Sequence, residues 1–160
     1  MPTKQYRRGI FIGRFQPFHI GHINSIKSSL SRCAELIICV GSPEKLSEDN
    51  PFSLETRFDM IKAGLKDSGI DANRVFITYA PDFESDEDWF DYILRTNKKF
   101  EVAFTGNSWV GEIFERNRIK VEDLARFGEI SGTNIRALIK SGGKWKRYVT
   151  KGVATIIKNP

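Results

Sequence analysis

Short apolar runs that alternate with amphipathic segments most constrain how this chain can fold. The strand-like runs occupy residues 10–12, 36–40, 75–77, 102–104 and 119–121. The segments with helical periodicity occupy residues 21–32, 54–69, 87–98, 110–116 and 133–140. Continuous apolar runs are typical of strands buried on both faces, as in a parallel sheet. The alternation therefore predicts an α/β fold, a parallel sheet with helices on both faces.

The handedness of the connections also predicts where a ligand binds. Right-handed crossovers place the first strand near the middle of the sheet, and we expect the strand order 3-2-1-4-5. Such a doubly wound, Rossmann-like sheet changes its direction of growth beside strand 1, and ligands bind at the carboxyl ends of the strands there. The loop leaving strand 1, residues 13–19, is therefore the predicted binding loop.

The size and composition of the chain predict one domain over residues 1–160, with a helical segment at about 143–158 packed on it. No apolar run approaches the roughly 20 residues of a membrane helix. The first residues lack the apolar stretch of a signal peptide. We expect a cytoplasmic protein in which Cys33 and Cys39, each beside apolar residues, are buried free thiols.

The net charge of +5 suits either nucleic acid or phosphorylated small molecules as partners. Basic residues are scattered along the chain and are dense only at 7–8 and 144–147. This distribution favours small phosphorylated substrates, with no nucleic acid and no membrane as partner.

The stretch GRFQPFHIGH, residues 13–22, places a glycine at the exit from strand 1 and two histidines at a helix start. His19 and His22 are three residues apart, so both can face one side. The first-turn amides of a helix bind phosphate, and Gly21 lets a ligand approach the backbone. The plainer interpretation is that His19 caps the helix and His22 packs nearby. No neighbouring cysteine or histidine completes a metal-ligand set.

A second segment, ISGTNIR at residues 130–136, begins a late helix. Ser131 or Thr133 can cap that helix and offer a hydroxyl to phosphate. Arg136, one turn later, can donate several hydrogen bonds to the same anion. A plain cap followed by a surface arginine fits the same letters.

The two segments resemble the HxGH and ISSTxxR motifs of the nucleotidyltransferase superfamily. The longer form GRFQPFHxGH is similar to that of archaeal-type nicotinamide-nucleotide adenylyltransferases. Cytidylyltransferases and phosphopantetheine adenylyltransferases typically have Thr and Asp where this chain has Arg14 and Gln16. The resemblance implies transfer of AMP from ATP to nicotinamide mononucleotide (NMN), which forms NAD and pyrophosphate.

The resemblance also assigns roles to individual residues. The expected catalytic residues are His19, His22, Arg14 and Arg136. The expected ATP-binding residues are Gly13, Phe15, Gly21, Gly106, Asn107, Ser131 and Thr133, and the expected NMN-binding residues are Trp89, Asp82 and Ser42. Family members often have a basic residue before the Asn50-Pro51-Phe52 turn, and whether Lys45 replaces it is left open.

Trp89 lies among acidic residues between Asp82 and Asp91. An aromatic face with carboxylates nearby suits the cationic pyridinium of NMN. The same pattern also fits an ordinary helix N-terminus, where acidic residues are favoured, with one tryptophan packed inward.

The expected reaction needs no protein nucleophile, because the attacking phosphate oxygen is already anionic. Catalysis would come from alignment and from neutralising the phosphate charge. Mg²⁺ is expected with ATP, held mainly by substrate phosphates rather than by protein ligands. The family resemblance also implies a homo-oligomer, commonly a hexamer.

Three alternatives stay open. The acceptor could instead be nicotinate mononucleotide, flavin mononucleotide (FMN) or phosphopantetheine. The chain could be a sensing module that binds nucleotides without turnover. It could also bind nucleic acid through its basic surface.

Overall fold

A computed structural model describes residues 3–124 and 130–158. The strands are β1 (Tyr6–Gly13), β2 (Cys33–Gly41), β3 (Val75–Ala80), β4 (Val102–Thr105) and β5 (Lys120–Asp123). The helices are α1 (Ile20–Arg32), α2 (Leu54–Asp67), α3 (Asp86–Thr96), α4 (Ser108–Arg116), α5 (Gly132–Ser141) and α6 (Lys151–Lys158). Across these two ranges, no helix combines the length and apolar composition needed to cross a membrane.

The five strands are all parallel and follow the order β3-β2-β1-β4-β5, which confirms the predicted topology. Because parallel strands leave their carboxyl ends at one edge, the loops after β1, β2, β3 and β4 meet there. That edge carries the GRFQPFHIGH loop.

Each face of the sheet has its own apolar core, because successive strand residues point to opposite faces. Phe11 and Ile38 belong to the core that α1, α2 and α6 cover. Ile10 and Ile37 belong to the core that α3 and α4 cover. One cysteine is buried in each core as a free thiol, as predicted.

Strand β1 begins at Tyr6, four residues earlier than the apolar run indicates, and it includes one of the two basic clusters. Arg8 is buried there. Its Nε donates to Glu35 Oε2 (2.8 Å) and its Nη1 to the carbonyl of Lys99 (2.7 Å). This arginine is therefore paired inside the fold and is not part of a free basic surface.

The C-terminal segment is divided into a 3₁₀ turn (Lys146–Tyr148) and helix α6. Val149 between them is extended, with φ −130° and ψ 162°, so the helical periodicity of the sequence is interrupted there. Helix α6 packs on α2 through the fully buried Val153, and the amide of Gly152 donates to Asp67 Oδ2 (2.7 Å).

Gly9 permits the close packing of β1 against β4. A Cβ at this position would lie 2.4 Å from Cε2 of the buried Phe104. We expect Gly9→Ala to lower the free energy of unfolding by about 1–3 kcal/mol, the typical effect of overpacking a core. Urea denaturation would measure the loss.

Gly41→Ala is the matched control, since a Cβ there meets its nearest atom at 3.7 Å. We expect a change of less than about 1 kcal/mol for this variant. Equal losses in the two variants would contradict the packing argument.

Candidate active site

The two histidines cap the first turn of α1 reciprocally. His19 is the N-cap, with extended backbone, and its Nδ1 accepts from the amide of His22 (3.4 Å). The Nδ1 of His22 accepts from the amide of His19 (3.1 Å). This is the geometry of a capping box, with two imidazoles in place of the usual hydroxyl and carboxamide or carboxylate. The rings stack, with centroids 3.6 Å apart.

The capping bonds also determine how the imidazoles are protonated. Since each Nδ1 accepts a hydrogen bond, each ring carries its proton on Nε2. Burial lowers the pKa of His19 to about 4. Burial, with a smaller contribution from His19, lowers the pKa of His22 well below its usual value. Both rings are therefore neutral at pH 7 and offer N–H donors, whereas the sequence suggested that they neutralise phosphate charge.

The phenylalanines of GRFQPF surround His22. The ring of Phe18 stacks on the imidazole at 5.5 Å between centroids, and Phe15 meets it edge-on at 4.7 Å. Both phenylalanines are fully buried. These apolar contacts account for the desolvation that keeps the imidazole neutral.

Gln16 joins the binding loop to two other segments. Its side-chain amide donates to the carbonyl of Phe52 (2.9 Å) and accepts from the amide of Phe52 (3.0 Å). The backbone carbonyl of Gln16 accepts a hydrogen bond from Arg136 Nη1 (2.7 Å). The NPF turn and the ISGTNIR segment are thus both bonded to the loop after β1. An aspartate here could accept from Phe52 but not donate to it.

Ser131, not Thr133, is the N-cap of α5, because its hydroxyl accepts from the amide of Asn134 (3.1 Å). The hydroxyl of Thr133 instead accepts from Arg136 Nη2 (3.3 Å). A Cβ on Gly132 would lie 3.0 Å from the carbonyl of Gln16. The glycine therefore allows the start of α5 to approach the binding loop closely.

The two motifs line one cavity of about 500 Å³, which we call the arginine cavity. Its walls carry Arg14, His22, Thr133 and Arg136, and also Phe15, Gln16, Asp49 and Gly132. The N-terminal turns of α1 and α5 both contribute to it. Two guanidinium groups beside two helix N-termini suit a polyphosphate, because both features bind anions.

A second cavity, of about 450 Å³, lies on the other side of Arg14 and is called the tryptophan cavity below. Its walls include Ser42, Asp82, Trp89, Asn107 and Trp109, together with Ile12, Gly13, Gly41 and Val110. Arg14 is exposed and lines both cavities. The two cavities therefore meet at one cationic side chain.

Asp82 is held as an anion in the tryptophan cavity. Its Oδ1 accepts from the hydroxyl of Ser42 (2.9 Å), and its Oδ2 lies 3.2 Å from Lys45 Nζ. Burial alone would raise the pKa of Asp82, but the hydrogen bonds from Ser42 and Lys45 outweigh it and lower this pKa. Lys45 thus pairs with Asp82 on the wall of the tryptophan cavity. It does not line the arginine cavity, where a basic residue before the NPF turn would be expected.

Trp109 is a site residue that the sequence reasoning missed. Its ring lies 4.8 Å from that of Trp89 and is 47% exposed, whereas Trp89 is only 5% exposed and packs against Phe114. The indole nitrogen of Trp109 donates to Asp86 Oδ1 (3.1 Å). The sequence feature that could have identified Trp109 is its position two residues after Thr105-Gly106-Asn107, at the start of a predicted helix.

Four expected site residues do not line either cavity. Among the described residues that line the two cavities, His19, Gly21, Gly106 and Ser131 are absent. His19 and Ser131 act as helix caps. Asn107, which follows Gly106, lines the tryptophan cavity, and its Oδ1 caps α4 by accepting from the amide of Trp109 (2.9 Å).

A larger cavity lies elsewhere. A groove of about 1080 Å³ follows the edge strand β3 and includes Lys62, Lys66 and Lys98. None of its lining residues belongs to the two motifs. Chemistry rather than volume therefore identifies the candidate site.

Comparison with known proteins gives a consistent picture. A family model described as cytidylyltransferase-like matches residues 10–138. A nicotinamide-nucleotide adenylyltransferase of Saccharolobus solfataricus is 43% identical over 149 residues, covering 91% of this chain and 87% of the relative. One of Caldivirga maquilingensis is 38% identical over 154 residues, covering 94% and 86% of the respective chains.

A solved structure agrees in fold. A bifunctional NMN adenylyltransferase/ADP-ribose pyrophosphatase from Francisella tularensis superposes with a TM-score of 0.85 at 25% identity. The match covers 96% of this chain and 49% of that one, so this chain spans about half the length of the bifunctional protein.

The lowered pKa of His19 makes stability depend on pH. In the unfolded chain His19 takes up a proton near pH 6.5, but in the folded protein only near pH 4. Stability is therefore lost as the pH falls through this window. Between pH 7 and 5 we expect the free energy of unfolding to drop by about 2 kcal/mol from this residue alone.

His19→Asn keeps an oxygen acceptor at the N-cap but cannot titrate. Urea denaturation across pH 5–7 should give a flatter profile for the variant than for the wild type. Parallel profiles would contradict the assignment.

Proposed function

We propose that this chain, which belongs to the cytidylyltransferase-like family, transfers AMP from ATP to NMN, forming NAD and pyrophosphate. The observation that carries the proposal is the position of Arg14 between a cationic cavity suited to a triphosphate and an aromatic, acidic cavity suited to a pyridinium nucleotide. The curated relatives, matched over most of their length, are nicotinamide-nucleotide adenylyltransferases.

In this proposal the triphosphate of ATP occupies the arginine cavity and NMN occupies the tryptophan cavity. The phosphate oxygen of NMN attacks the α-phosphorus of ATP. A new phosphorus–oxygen bond forms, and the bond from the α-phosphorus to the bridging oxygen of the β-phosphate breaks. Pyrophosphate leaves with that electron pair, and no protein group has to transfer a proton.

Charge and donors come from different residues on the ATP side. Arg14 and Arg136 supply the positive charge, and Arg14, which lines both cavities, can contact the phosphates of both substrates. Neutral His22 supplies an Nε2–H donor, which His19 holds in place through the reciprocal cap. Preorganised donors of this kind stabilise charge that develops in the transition state.

On the NMN side, Trp109 and Trp89 supply the aromatic surface and ionised Asp82 supplies a negative charge. Both interact favourably with a pyridinium cation. Nicotinate mononucleotide carries an additional carboxylate, which Asp82 repels and the adjacent Lys45 attracts, so the charges at this position do not select the amide over the acid.

A divalent cation, Mg²⁺ in our proposal, arrives with ATP. The described residues contain no group of three or more potential metal-ligating side chains. Asp49 places one carboxylate on the wall of the arginine cavity. This arrangement suits an ion held mainly by phosphate oxygens and water, which would neutralise charge on the departing pyrophosphate.

The proposed function is tested by a substrate panel. ATP or CTP is combined with NMN, nicotinate mononucleotide, FMN or phosphopantetheine, and pyrophosphate release and product mass are measured. We expect pyrophosphate with ATP and NMN, giving NAD, and none with CTP, FMN or phosphopantetheine; the rate with nicotinate mononucleotide gives the preference between amide and acid. Pyrophosphate with FMN or phosphopantetheine instead of NMN would change the proposed substrate, and nucleotide binding without pyrophosphate release would indicate a sensor.

We propose a cytoplasmic homo-oligomer, a hexamer on the family resemblance. Light scattering of the purified protein would give its mass, and a monomer at all concentrations would contradict the oligomer.

The tryptophan pair gives a prediction for the NMN side. Trp109→Ala removes the exposed ring, and we expect the KM for NMN to rise about tenfold or more, the size of a cation–π contribution of 1–2 kcal/mol. The KM for ATP should stay nearly unchanged. Trp89→Phe, which keeps an aromatic ring in the core, should have a smaller effect in the same direction.

Trp145→Ala is the control, because this tryptophan is partly buried against the apolar core and lines neither cavity. Steady-state kinetics with each substrate varied in turn separates the effects. Equal increases in both KM values for Trp109→Ala would refute the assignment.

A further inference from the structure

Two residues of the site have a backbone conformation that side chains disfavour. Phe15 has φ +55° and Ser42 has φ +50°, both in the left-handed region. Phe15 follows β1 and Ser42 follows β2. Such residues persist only where the surroundings hold them, and they cluster at functional sites.

Arg57 holds the backbone at both positions. Its Nη1 donates to the carbonyls of Arg14 and Gly41, each at 2.9 Å, and these are the residues directly before Phe15 and Ser42. Its Nη2 donates to the carbonyl of Ser42 (3.2 Å). One guanidinium therefore connects the loops after β1 and β2 at the edge where the two cavities meet.

Arg57 is a buried charged residue that bonds to the backbone, so apolar packing does not explain its presence. Arg57 is 0% exposed, and its hydrogen bonds within the described residues all go to backbone carbonyls, including that of Ser53 (3.3 Å). It shares the buried stripe of α2 with Ile61 and Leu65. An apolar residue on that stripe would avoid the cost of burying a charge. A guanidinium is needed only if the three loop carbonyls must be held together.

We infer that Arg57 is a positioning residue, which fixes the backbone of Arg14 relative to Ser42 and so aligns the two reacting phosphates. This inference rests on the proposed function for the identity of those phosphates. Through Arg14 it acts on the transferred α-phosphate, and through Ser42 on Asp82 in the tryptophan cavity. Arg57 itself lines neither cavity.

The test is Arg57→Lys, which keeps the charge but cannot donate to three carbonyls in the guanidinium geometry. We expect kcat to fall about 100-fold, as a displacement of about 1 Å between reacting groups does. The dissociation constant for ATP, measured by calorimetry, should rise only a few-fold.

Arg74→Lys is the matched control. Arg74 also donates to three backbone carbonyls, those of Leu30, Cys33 and Ala34, but these lie at the end of α1 and the start of β2, away from both cavities. A purely structural role for Arg57 would make both variants lose stability with little loss of kcat. Our inference requires the loss of kcat in Arg57→Lys alone.

A double-mutant cycle with Arg14→Ala shows whether Arg57 affects kcat through Arg14. If Arg57 acts through Arg14, Arg57→Lys should reduce kcat much less in the Arg14→Ala background than in the wild type. Equal reductions in the two backgrounds would overturn the inference, as would an Arg57→Lys variant with wild-type kcat.

Activity of the wild-type protein distinguishes a failure of the proposed function from a failure of the positioning role of Arg57. If it releases no pyrophosphate with ATP and NMN, the proposed function fails, and ATP binding then becomes the readout of the cycle. Arg57→Lys and Arg14→Ala should weaken ATP binding non-additively, whereas Arg74→Lys should not weaken it. Additive effects on the ATP dissociation constant would contradict the positioning role.

Discussion

The pairing of β1 with strands on both of its sides underlies the rest of the molecule. Phe11 pairs with Ile38 of β2 on one side and with Phe104 of β4 on the other, so β1 occupies the middle of the sheet. The chain adds strands in one direction through β2 and in the other through β4. Because the two halves diverge here, the loop after β1 lies in a crevice instead of being covered.

The topology could be predicted because it depends on patterns local to the sequence. Apolar runs of strand length, helical periodicity between them and right-handed crossovers leave few arrangements of five strands. The exact ends of the strands and helices were harder to predict from the sequence. Arg8 extends β1 because its partner Glu35 lies on the neighbouring strand, and Val149 interrupts the C-terminal helix despite favourable spacing. Both outcomes depend on tertiary contacts.

The candidate site could be predicted in part. The motifs indicated that Arg14, His22 and Arg136 meet, and they line one cavity. The neutral state of the histidines could not be predicted, since it depends on aromatic rings folded around them. Gln16 is similar: the motif does not reveal that its side-chain amide exchanges two hydrogen bonds with the backbone of Phe52, 36 residues later in the chain. Arg57 could have been noticed in the sequence because it is a charged residue at helical spacing from Ile61, on the face of α2 that is otherwise apolar.

The position of Arg14 on the wall of both cavities has a thermodynamic consequence. A ligand that orders this exposed side chain in one cavity removes conformational freedom that the other ligand would otherwise have to remove. The two binding equilibria are therefore linked, and the factor by which one ligand changes the affinity of the other must be the same in both directions. In the proposed function, a single exposed arginine thus couples the two halves of the crevice without any movement of the sheet.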